Sequence, residues 1–435
     1  MKYLSLASKD KRYPLKEVLF KGLAPDGSLF MPESIPQLDR DFIENMAAYD
    51  LPEIAFRVLK PYMDEDIKDD ELRAITRESF NFPIPVRQID GNLYVLELFH
   101  GPTQAFKDVG ARFLSRILGY FNRNEDRKLL VLTATSGDTG GAVANGFHKV
   151  EGIEVIVLYP KGKVSPYQEY QITSPGANVH AIAVEGSFDD CQRLVKEAFR
   201  DEDLRKIVYM TSANSINIGR LLPQMVYYFF AYAQLRAMGV KGDPVITVPS
   251  GNFGNITAAV LAHKMGLPVK RFVAATNAND VVPRFFKSGV YEPHQTIVTL
   301  ANAMDVGDPS NFPRMYELYN NSLQDIKTEM ISLSVSDAEI KKAISEGFGK
   351  YSYLMDPHTA AAYTAAIGQV DKSEISLFVS TAHPFKFGEV IDDIIPGGLE
   401  KAGYTIDFPK PEDGGRDVMS ADYLDLKTRI AIVAR

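Results

Sequence analysis

The sequence predicts an α/β protein in which helices flank open, mostly parallel sheets. From residue 93 onward, short apolar runs alternate with helical segments, and most of the runs are continuously apolar. Continuous apolar strands are typical of parallel sheets covered on both faces, and such strands are joined by right-handed helical crossovers. The strand-like runs are 93–99, 128–134, 154–158, 179–184, 207–210, 244–248, 271–275 and 375–379.

The two ends of the chain differ from this alternating part. Residues 1–90 contain polar helical segments interrupted by prolines, with a boundary at the proline-containing stretch 81–85. Pro409 and Pro411 indicate a loop-like tail beyond residue 405. We therefore expect a helical region at the start of the chain and a peripheral tail at its end.

Composition and charge exclude several classes of protein. The chain has 435 residues, 45% of them hydrophobic, and a formal net charge of −8, which argues against nucleic-acid binding. No apolar run approaches the roughly 18 residues of a membrane span, and residues 1–10 lack the apolar centre of a signal peptide. The single cysteine, Cys191, falls in an amphipathic segment and is expected to be buried. We expect a cytoplasmic protein without membrane or nucleic-acid partners.

Lys107 lies where the apolar run 93–99 passes into a helix, and its neighbours are unusual for a lysine. Gly110 and Ala111 follow three and four positions later, so Lys107 shares a face of small residues. A helix start disfavours a cation and desolvation favours the neutral amine, which can form a Schiff base with an aldehyde. The alternative is a surface lysine that extends its ammonium to water. Lys107 alone does not decide between these interpretations.

Two glycine-containing loops repeat the same passage from strand to helix. The segments 135–141 (Thr-Ser-Gly-Asp-Thr-Gly-Gly) and 250–255 (Ser-Gly-Asn-Phe-Gly-Asn) each follow an apolar run. Such loops present backbone N–H groups to anions, although each alone could be ordinary turn chemistry. Two anion-binding loops and a reactive lysine fit pyridoxal phosphate, which needs an amine and phosphate donors. The lysine segment and both glycine-containing loops lie at the carboxyl ends of predicted strands. Ligands bind at these ends in open parallel sheets.

The segment from Glu97 to Ala111, ELFHGPTQAFKDVGA, resembles the lysine signature of the fold type II pyridoxal phosphate enzymes. Its longer form is similar to the threonine synthase family, in the bacterial and fungal branch with an extended N-terminal region. The resemblance runs from about residue 22 to 395. Further matching motifs are Thr133–Gly140, Asn214–Arg220, Val248–Gly254, Ala274–Asn277, Asn302–Asp305 and Thr381–Pro384.

The resemblance implies a tryptophan synthase β-like fold with two open, mostly parallel sheets and an N-terminal helical region. It also implies a division into three parts. Residues 1–90 would form the N-terminal region, and residues 91–235 would hold the lysine and the substrate phosphate. Residues 236–435 would bind the cofactor phosphate and end in the tail.

The resemblance also assigns cofactor-binding residues. Lys107 would be the catalytic Schiff-base lysine, and Thr381 would face the pyridine nitrogen with its hydroxyl. Asp138 would lie at the cofactor ring, where many relatives carry Asn, so its contact with the cofactor O3′ stays open. The phosphate cup would consist of Ser250, Gly251, Asn252, Phe253, Gly254 and Asn255.

Substrate recognition is expected from two of the matching motifs. Ser136 and Thr139 would bind the substrate carboxylate, as in fold type II relatives. Arg220 offers a planar cationic fork suited to a phosphate ester, with short polar donors close by in the chain. The alternative is that Asn214 and Ser215 cap a helix while Arg220 pairs at its surface. The remaining substrate candidates of this motif are Asn214, Ser215 and Asn217.

The hypothesis from the sequence is a threonine synthase, a pyridoxal 5′-phosphate-dependent carbon–oxygen lyase. It would convert O-phospho-L-homoserine and water to L-threonine and phosphate, without a metal. Two alternatives stay open: another fold type II lyase such as a serine/threonine dehydratase, and an inactive cofactor-binding homologue. The sequence leaves undecided whether the protein is a monomer or a homodimer.

Overall fold

The computed structural model describes residues 1–405, 408 and 417–434. Residues 1–90 form mainly helices with three short strands. In chain order they are β1 (Tyr3–Ser5), α1 (Leu15–Lys21), β2 (Phe30–Pro32), α2 (Arg40–Glu44), α3 (Leu51–Met63), α4 (Asp69–Ser79) and β3 (Val86–Asp90). A 3-10 helix at Met46–Ala48 joins α2 to α3. The helical N-terminal region is therefore present, with a small antiparallel pair, β1 and β2, that the sequence did not predict.

Strands and helices alternate from residue 93 to residue 276, as predicted. These elements are β4 (Leu93–Glu97), α5 (Lys107–Asn122), β5 (Leu129–Ala134), α6 (Asp138–Phe147), β6 (Ile153–Pro160), α7 (Pro166–Thr173), β7 (Val179–Glu185), α8 (Phe188–Arg200), α9 (Glu202–Ile207), β8 (Tyr209–Thr211), α10 (Ile218–Leu221), α11 (Gln224–Ala237), β9 (Val245–Pro249), α12 (Gly254–Lys264) and β10 (Arg271–Thr276). Cys191 is buried in α8, as expected.

Helices dominate the rest of the described chain. They and the last strands are α13 (Val281–Ser288), α14 (Phe312–Glu317), α15 (Leu323–Glu329), β11 (Met330–Ser334), α16 (Asp337–Tyr351), α17 (Pro357–Gln369), β12 (Ser376–Ser380), α18 (Gly388–Ile394), α19 (Gly398–Lys401), β13 (Asp417–Ser420) and α20 (Tyr423–Val433). Two 3-10 helices lie at Asn302–Met304 and Pro384–Phe387. No helix among the described residues is long and apolar enough to cross a lipid bilayer.

The described strands from β3 onward form two sheets, as the resemblance implied. The larger sheet has the order β11-β10-β9-β12-β4-β3, and β3 is antiparallel to β4 while the other neighbours are parallel. The smaller sheet has the order β13-β7-β6-β5-β8 and is parallel throughout. The fold is therefore α/β with two open, parallel-rich sheets flanked by helices.

Each sheet reverses its strand order at one place, and ligands bind at such switch points. In the smaller sheet, β5 has β6 on one side and β8 on the other. In the larger sheet, β9 and β12 are neighbours whose other partners, β10 and β4, lie on opposite sides. The loops that follow these strands are therefore the places where this topology forms crevices.

Two expectations need correction. The strand predicted at 207–210 begins at Tyr209, because Asp201 caps a short helix that continues through Ile207. The tail is not peripheral throughout, since β13 pairs with β7 and α20 buries Leu426 and Ile430. The loop predicted around Pro409 and Pro411 lies outside the described residues. The three-part division of the chain stays a prediction. The two sheets do not follow its boundaries, because β4 from the part 91–235 belongs to the larger sheet and β13 from the part 236–435 belongs to the smaller one.

Candidate active site

The strand ends of both sheets surround one cavity of about 1680 Å³. The loops after β5 and β8 approach it from the smaller sheet, and those after β9 and β12 approach from the larger one. The residues predicted from the sequence that line this cavity are Lys107, Ser136, Asp138, Thr139, Asn214, Ser215, Arg220, Ser250, Gly251, Asn252, Phe253, Gly254, Asn255 and Thr381. Segments far apart in the chain therefore meet as the topology predicted.

Lys107 is the first residue of α5 and lies next to Thr381. The backbone N–H of Phe106 donates to the Thr381 carbonyl oxygen at 2.8 Å, and Ala105 forms a β-bridge with Ala382. Burial lowers the pKa of the Lys107 amine, and the nearby Asp138 carboxylate partly opposes this. The start of α5 thus presents a desolvated amine, as the sequence indicated.

The loop after β5 places Asp138 at the start of α6. Thr135 Oγ1 accepts hydrogen bonds from the N–H groups of Gly137 at 3.0 Å and Gly140 at 2.8 Å. Gly137 has a φ of 146°, and a Cβ there would lie 2.6 Å from the Gln168 side chain, so only glycine suits this turn. Burial alone would raise the pKa of Asp138, but Lys386 and Lys107 hold it well below its ordinary value.

The loop after β9 forms a cup at the start of α12. Phe253, which precedes the helix, has the left-handed φ of 59°, and the first turn of the helix leaves N–H groups without intrahelical partners. Asn255 Oδ1 accepts from the hydroxyl of Tyr227 at 2.7 Å and from that of Tyr228. Asn255 Nδ2 is buried and has no hydrogen-bond partner among the residues that the structure describes.

Arg220 is the principal cation on the opposite wall. It is buried in α10, where its Nη1 donates to the Ala213 carbonyl oxygen and its Nε has no acceptor within the described part of the chain. Burial lowers the pKa of Arg220 to about 10. A Cβ at Gly110 would lie 2.8 Å from Arg220 Nε, so the small-residue face of α5 gives this arginine its space. The Arg220 guanidinium therefore keeps an unused N–H donor in a desolvated environment. It does not form the surface ion pair that was the alternative from the sequence.

Asn214 and Ser215 line the cavity, and both connect to other site loops. Thr133 Oγ1 donates to Asn214 Oδ1 at 2.6 Å, and Asn252 Nδ2 donates to Ser215 Oγ. The second bond joins the loop after β8 to the cup after β9. The two sheets are thus connected across the cavity by side chains of the site itself.

Asn217 is the one predicted site residue that does not line the cavity. Its Nδ2 donates to the carbonyl oxygens of Leu19 at 2.9 Å and Ser212 at 3.1 Å, and its Oδ1 accepts from the Gly219 N–H. All its amide groups are used to begin α10 and to hold α1 against it. Asn217 therefore caps α10, and its role in substrate binding stays a prediction.

The sequence interpretation missed two buried cations beside the site. Lys386 lies in the 3-10 helix that follows Thr381, and its Nζ is 2.9 Å from Asp138 Oδ1. Arg314 in α14 is fully buried and donates to the Ile216 carbonyl oxygen at 2.7 Å. Lys386 stands two positions beyond the Thr381–Pro384 motif, which is the one local signal that could have drawn attention to it.

Comparisons with known proteins agree with this geometry. The family model described as pyridoxal-phosphate dependent enzyme matches residues 39–381. The chain is 45% identical to a threonine synthase from Haemophilus influenzae over 392 residues, which cover 88% of this chain and 90% of the relative.

Solved structures show the same relationship. The crystal structure of threonine synthase from Escherichia coli has a TM-score of 0.88 at 39% identity and covers 99% of this chain and 100% of its own. The pyridoxal phosphate-bound threonine synthase from Brucella melitensis has a TM-score of 0.89 at 32% identity, with 100% of both chains covered. The chain belongs to the pyridoxal-phosphate dependent enzymes and, within them, to the threonine synthase family.

Proposed function

We propose that this enzyme converts O-phospho-L-homoserine and water to L-threonine and inorganic phosphate. The observation that carries the proposal is Arg220, a buried guanidinium with an unused Nε–H in the same cavity as Lys107. Apart from its attraction to the nearby Asp108 carboxylate, this desolvated guanidinium has an unsatisfied donor, which is costly unless a ligand supplies an anion to accept from it. A phosphate ester on the substrate supplies that anion, and a dehydratase acting on an unphosphorylated amino acid does not need it.

The residues of the cup fit the phosphate of pyridoxal phosphate. The buried Asn255 Nδ2 lacks an acceptor, and the N-terminus of α12 adds backbone N–H groups and the favourable end of the helix dipole. The Ser250 hydroxyl donates to the Val248 carbonyl oxygen at 2.9 Å and its backbone N–H donates to the Ala275 carbonyl oxygen at 2.7 Å, so both donors of Ser250 hold the turn in place. Within the proposal, 250–255 holds the cofactor phosphate.

Lys107 provides the amine that bonds the cofactor aldehyde and, when released, moves protons on the substrate. When bound, pyridoxal phosphate supplies an electron-accepting ring that stabilises the negative charge formed as those protons leave. The Lys107 amine removes the proton from Cα and serves the later proton transfers at Cβ and Cγ. Burial favours its neutral, basic form, which this work requires.

Thr381 and the loop 136–139 orient the bound molecules. Thr381 follows β12 beside Lys107, so its hydroxyl is available to the pyridine nitrogen, which a hydroxyl leaves largely neutral. Ser136 and Thr139 at the start of α6 bind the substrate carboxylate, where the helix dipole favours an anion. The substrate phosphate then points to Arg220, with Asn214 and Ser215 as neutral donors beside it.

The test is a phosphate-release assay with the cofactor-loaded protein and O-phospho-L-homoserine, with the organic product identified by mass spectrometry. We expect phosphate and threonine in equal amounts. Release of phosphate with a deaminated product instead of threonine would contradict the proposed reaction, and release of no phosphate would favour an inactive homologue. A Lys107→Ala protein that keeps full turnover would exclude the proposed role of that amine.

A further inference from the structure

Lys386 is a fully buried lysine whose ammonium is completely enclosed by acceptors. Its side chain has 0% exposure, and its Nζ is 2.9 Å from Asp138 Oδ1. Nζ also donates to the Thr103 carbonyl oxygen at 2.8 Å and to Gln171 Oε1 at 2.9 Å. Three acceptors for three N–H bonds fix the ammonium in one place. Asp138 lines the cavity and Lys386 does not, so Asp138 lies between Lys386 and the cavity.

The two oxygens of Asp138 have different surroundings. Oδ1 faces Lys386 and also accepts from Gln168 Nε2 at 3.0 Å. No hydrogen bond or ion pair within the described part of the chain uses Oδ2, although Asp138 lines the cavity. One edge of the carboxylate is therefore anchored to the protein, and the other is left to the cavity.

Lys107 is the second amine near this carboxylate, and its charge depends on the same group. Burial disfavours the ammonium form of Lys107. Asp138, at the start of α6, favours that form, whereas Lys386 and the α10 residue Arg220 disfavour it. Asp108 from α5 itself adds a further buried carboxyl, which Lys386 and Arg220 also face. If Lys386 were neutral, Lys107 would be the nearest cation left to balance Asp138.

We propose that Lys386 is a positioning residue, which neutralises Asp138 from behind and so leaves the Lys107 amine without an ion-pair partner. The carboxylate stays ionised and fixed at the cavity wall, with its Oδ2 left to the cavity. The Lys107 nitrogen is thereby released from competition for the carboxylate. The proposal rests on the proposed role of Lys107, since only a reactive amine needs this arrangement.

The first test measures the titration of the Lys107 amine itself in the full chain without added cofactor. Competitive labelling with acetic anhydride over a pH series, with the Lys107 peptide followed by mass spectrometry, gives the midpoint. We expect Lys386→Met to raise that midpoint by about one pH unit or more, because Asp138 then has Lys107 as its cation. An unchanged midpoint in a folded Lys386→Met protein would overturn the proposal.

A matched control separates charge from packing. Gln171→Met removes one acceptor of Lys386 and the bond from Gln171 Nε2 to the Thr103 carbonyl oxygen, but it keeps the ion pair with Asp138. We expect this control to leave the Lys107 midpoint in place, and we expect Lys386→Arg, which keeps the positive charge, to hold the midpoint close to that of the wild type. A Gln171→Met shift as large as that of Lys386→Met would assign Lys386 a structural role only.

A second variant covers the case in which Lys386→Met does not fold. Asp138→Asn leaves the Lys386 ammonium without its counter-charge, so the Lys107 midpoint should fall by about one pH unit or more. Combining the two substitutions removes both charges and should return the midpoint towards that of the wild type. An Asp138→Asn protein with an unchanged midpoint would overturn the proposal on its own.

The cofactor-loaded protein provides an independent readout. The pH dependence of its visible absorbance reports the ionisation of the nitrogen that joins Lys107 to the cofactor, and Lys386→Met should move it to higher pH. If the wild-type chain shows no such band yet the labelling shift is observed, the proposed function fails and the role of Lys386 stands. If the band is present and neither titration moves, the role of Lys386 fails alone.

Discussion

Arg314 and Arg220 are two buried arginines on either side of the loop after β8, and they use their donors differently. Arg314 donates from Nε to the Phe30 carbonyl oxygen at 3.0 Å, from Nη1 to Asn311 Oδ1 at 2.8 Å and from Nη2 to the Ile216 carbonyl oxygen at 2.7 Å. Arg220 donates to one carbonyl oxygen, that of Ala213, and keeps its buried Nε unpaired. Burial lowers the pKa of Arg314 to about 9 and that of Arg220 to about 10.

The difference shows that buried arginines can have two roles. Arg314 stabilises the fold through its hydrogen bonds, whereas Arg220 keeps a donor for a ligand. Arg314 connects β2, the loop after β8 and α14, and each of its three guanidinium nitrogens has an acceptor in the protein. Arg220 faces the cavity with donor capacity to spare. Because a buried guanidinium donor without an acceptor is costly, we infer that Arg220 is retained for a bound anion, in addition to the nearby Asp108 carboxylate.

The largest expected effect is on stability, from Arg314→Met. The substitution leaves the acceptors on Phe30, Ile216 and Asn311 buried without their donor, so we expect a loss of about 3 kcal/mol in the free energy of unfolding. Urea unfolding monitored by circular dichroism measures it. Arg220→Met should be far less destabilising, because it removes a poorly paired charge. Equal losses in the two proteins would contradict the distinction between them.

Arg220→Ala should affect catalysis instead. Loss of a buried charged contact costs at least about 2 kcal/mol, so kcat/KM for O-phospho-L-homoserine should fall by about 30-fold or more. Steady-state phosphate release measures it. Arg205→Ala is the matched control, since Arg205 is an exposed arginine at the rim of the same cavity and should change kcat/KM only slightly. An Arg220→Ala enzyme with unchanged kcat/KM would remove the basis for the proposed substrate.

Gly110→Ala tests the space that α5 leaves for Arg220. The added Cβ would lie 2.8 Å from both the Nε and the carbonyl oxygen of Arg220, which must move at a cost of about 1.5 kcal/mol. We expect KM for the phosphorylated substrate to rise about tenfold. Gly349→Ala in α16 is the control, because a Cβ there meets nothing within 4 Å. If both variants behave like the wild type, Gly110 is not needed for the arginine.

The smallest expected effect is stabilisation by inorganic phosphate, which mimics the anion that Arg220 lacks. At about three times its Kd, phosphate should stabilise the folded protein by about 0.8 kcal/mol. Thermal unfolding of the cofactor-loaded protein with and without phosphate measures this shift. Arg220→Ala should lose the response, whereas Arg314→Met, though less stable, should keep it. A response that survives in Arg220→Ala would place the phosphate elsewhere.

The sequence predicted the parts of this molecule that depend on local pattern. The strand before Lys107, the helix after it and the glycine-containing loops follow from hydrophobic periodicity and turn residues. The short strand β11 was missed, because MISLS carries little of the continuous apolar character on which the other assignments depended. The strand β13 was missed because the proline-containing segment before it indicated a loop.

The buried cations could not be predicted, because their burial is decided by residues distant in the chain. Lys386 pairs with Asp138 and Thr103, and Arg314 reaches Phe30 across 284 positions. Asn217 shows the converse case: its polarity indicated a substrate ligand, and in the fold its donors are used by the carbonyl oxygens of Leu19 and Ser212. Local polarity marks a residue that needs partners, and it does not say whether the partners belong to the protein.

The hydrogen bond from Asn252 to Ser215 has a thermodynamic consequence for the two ligands. Asn252 belongs to the cup for the cofactor phosphate, and its Oδ1 also accepts from the Ser310 N–H at 2.6 Å. Ser215 belongs to the loop that faces the substrate phosphate. Binding equilibria that share such a contact are reciprocal, so the factor by which one ligand strengthens the other is the same in both directions. Within the proposed roles of these two loops, we therefore expect cofactor retention and substrate capture to be coupled through one amide and one hydroxyl.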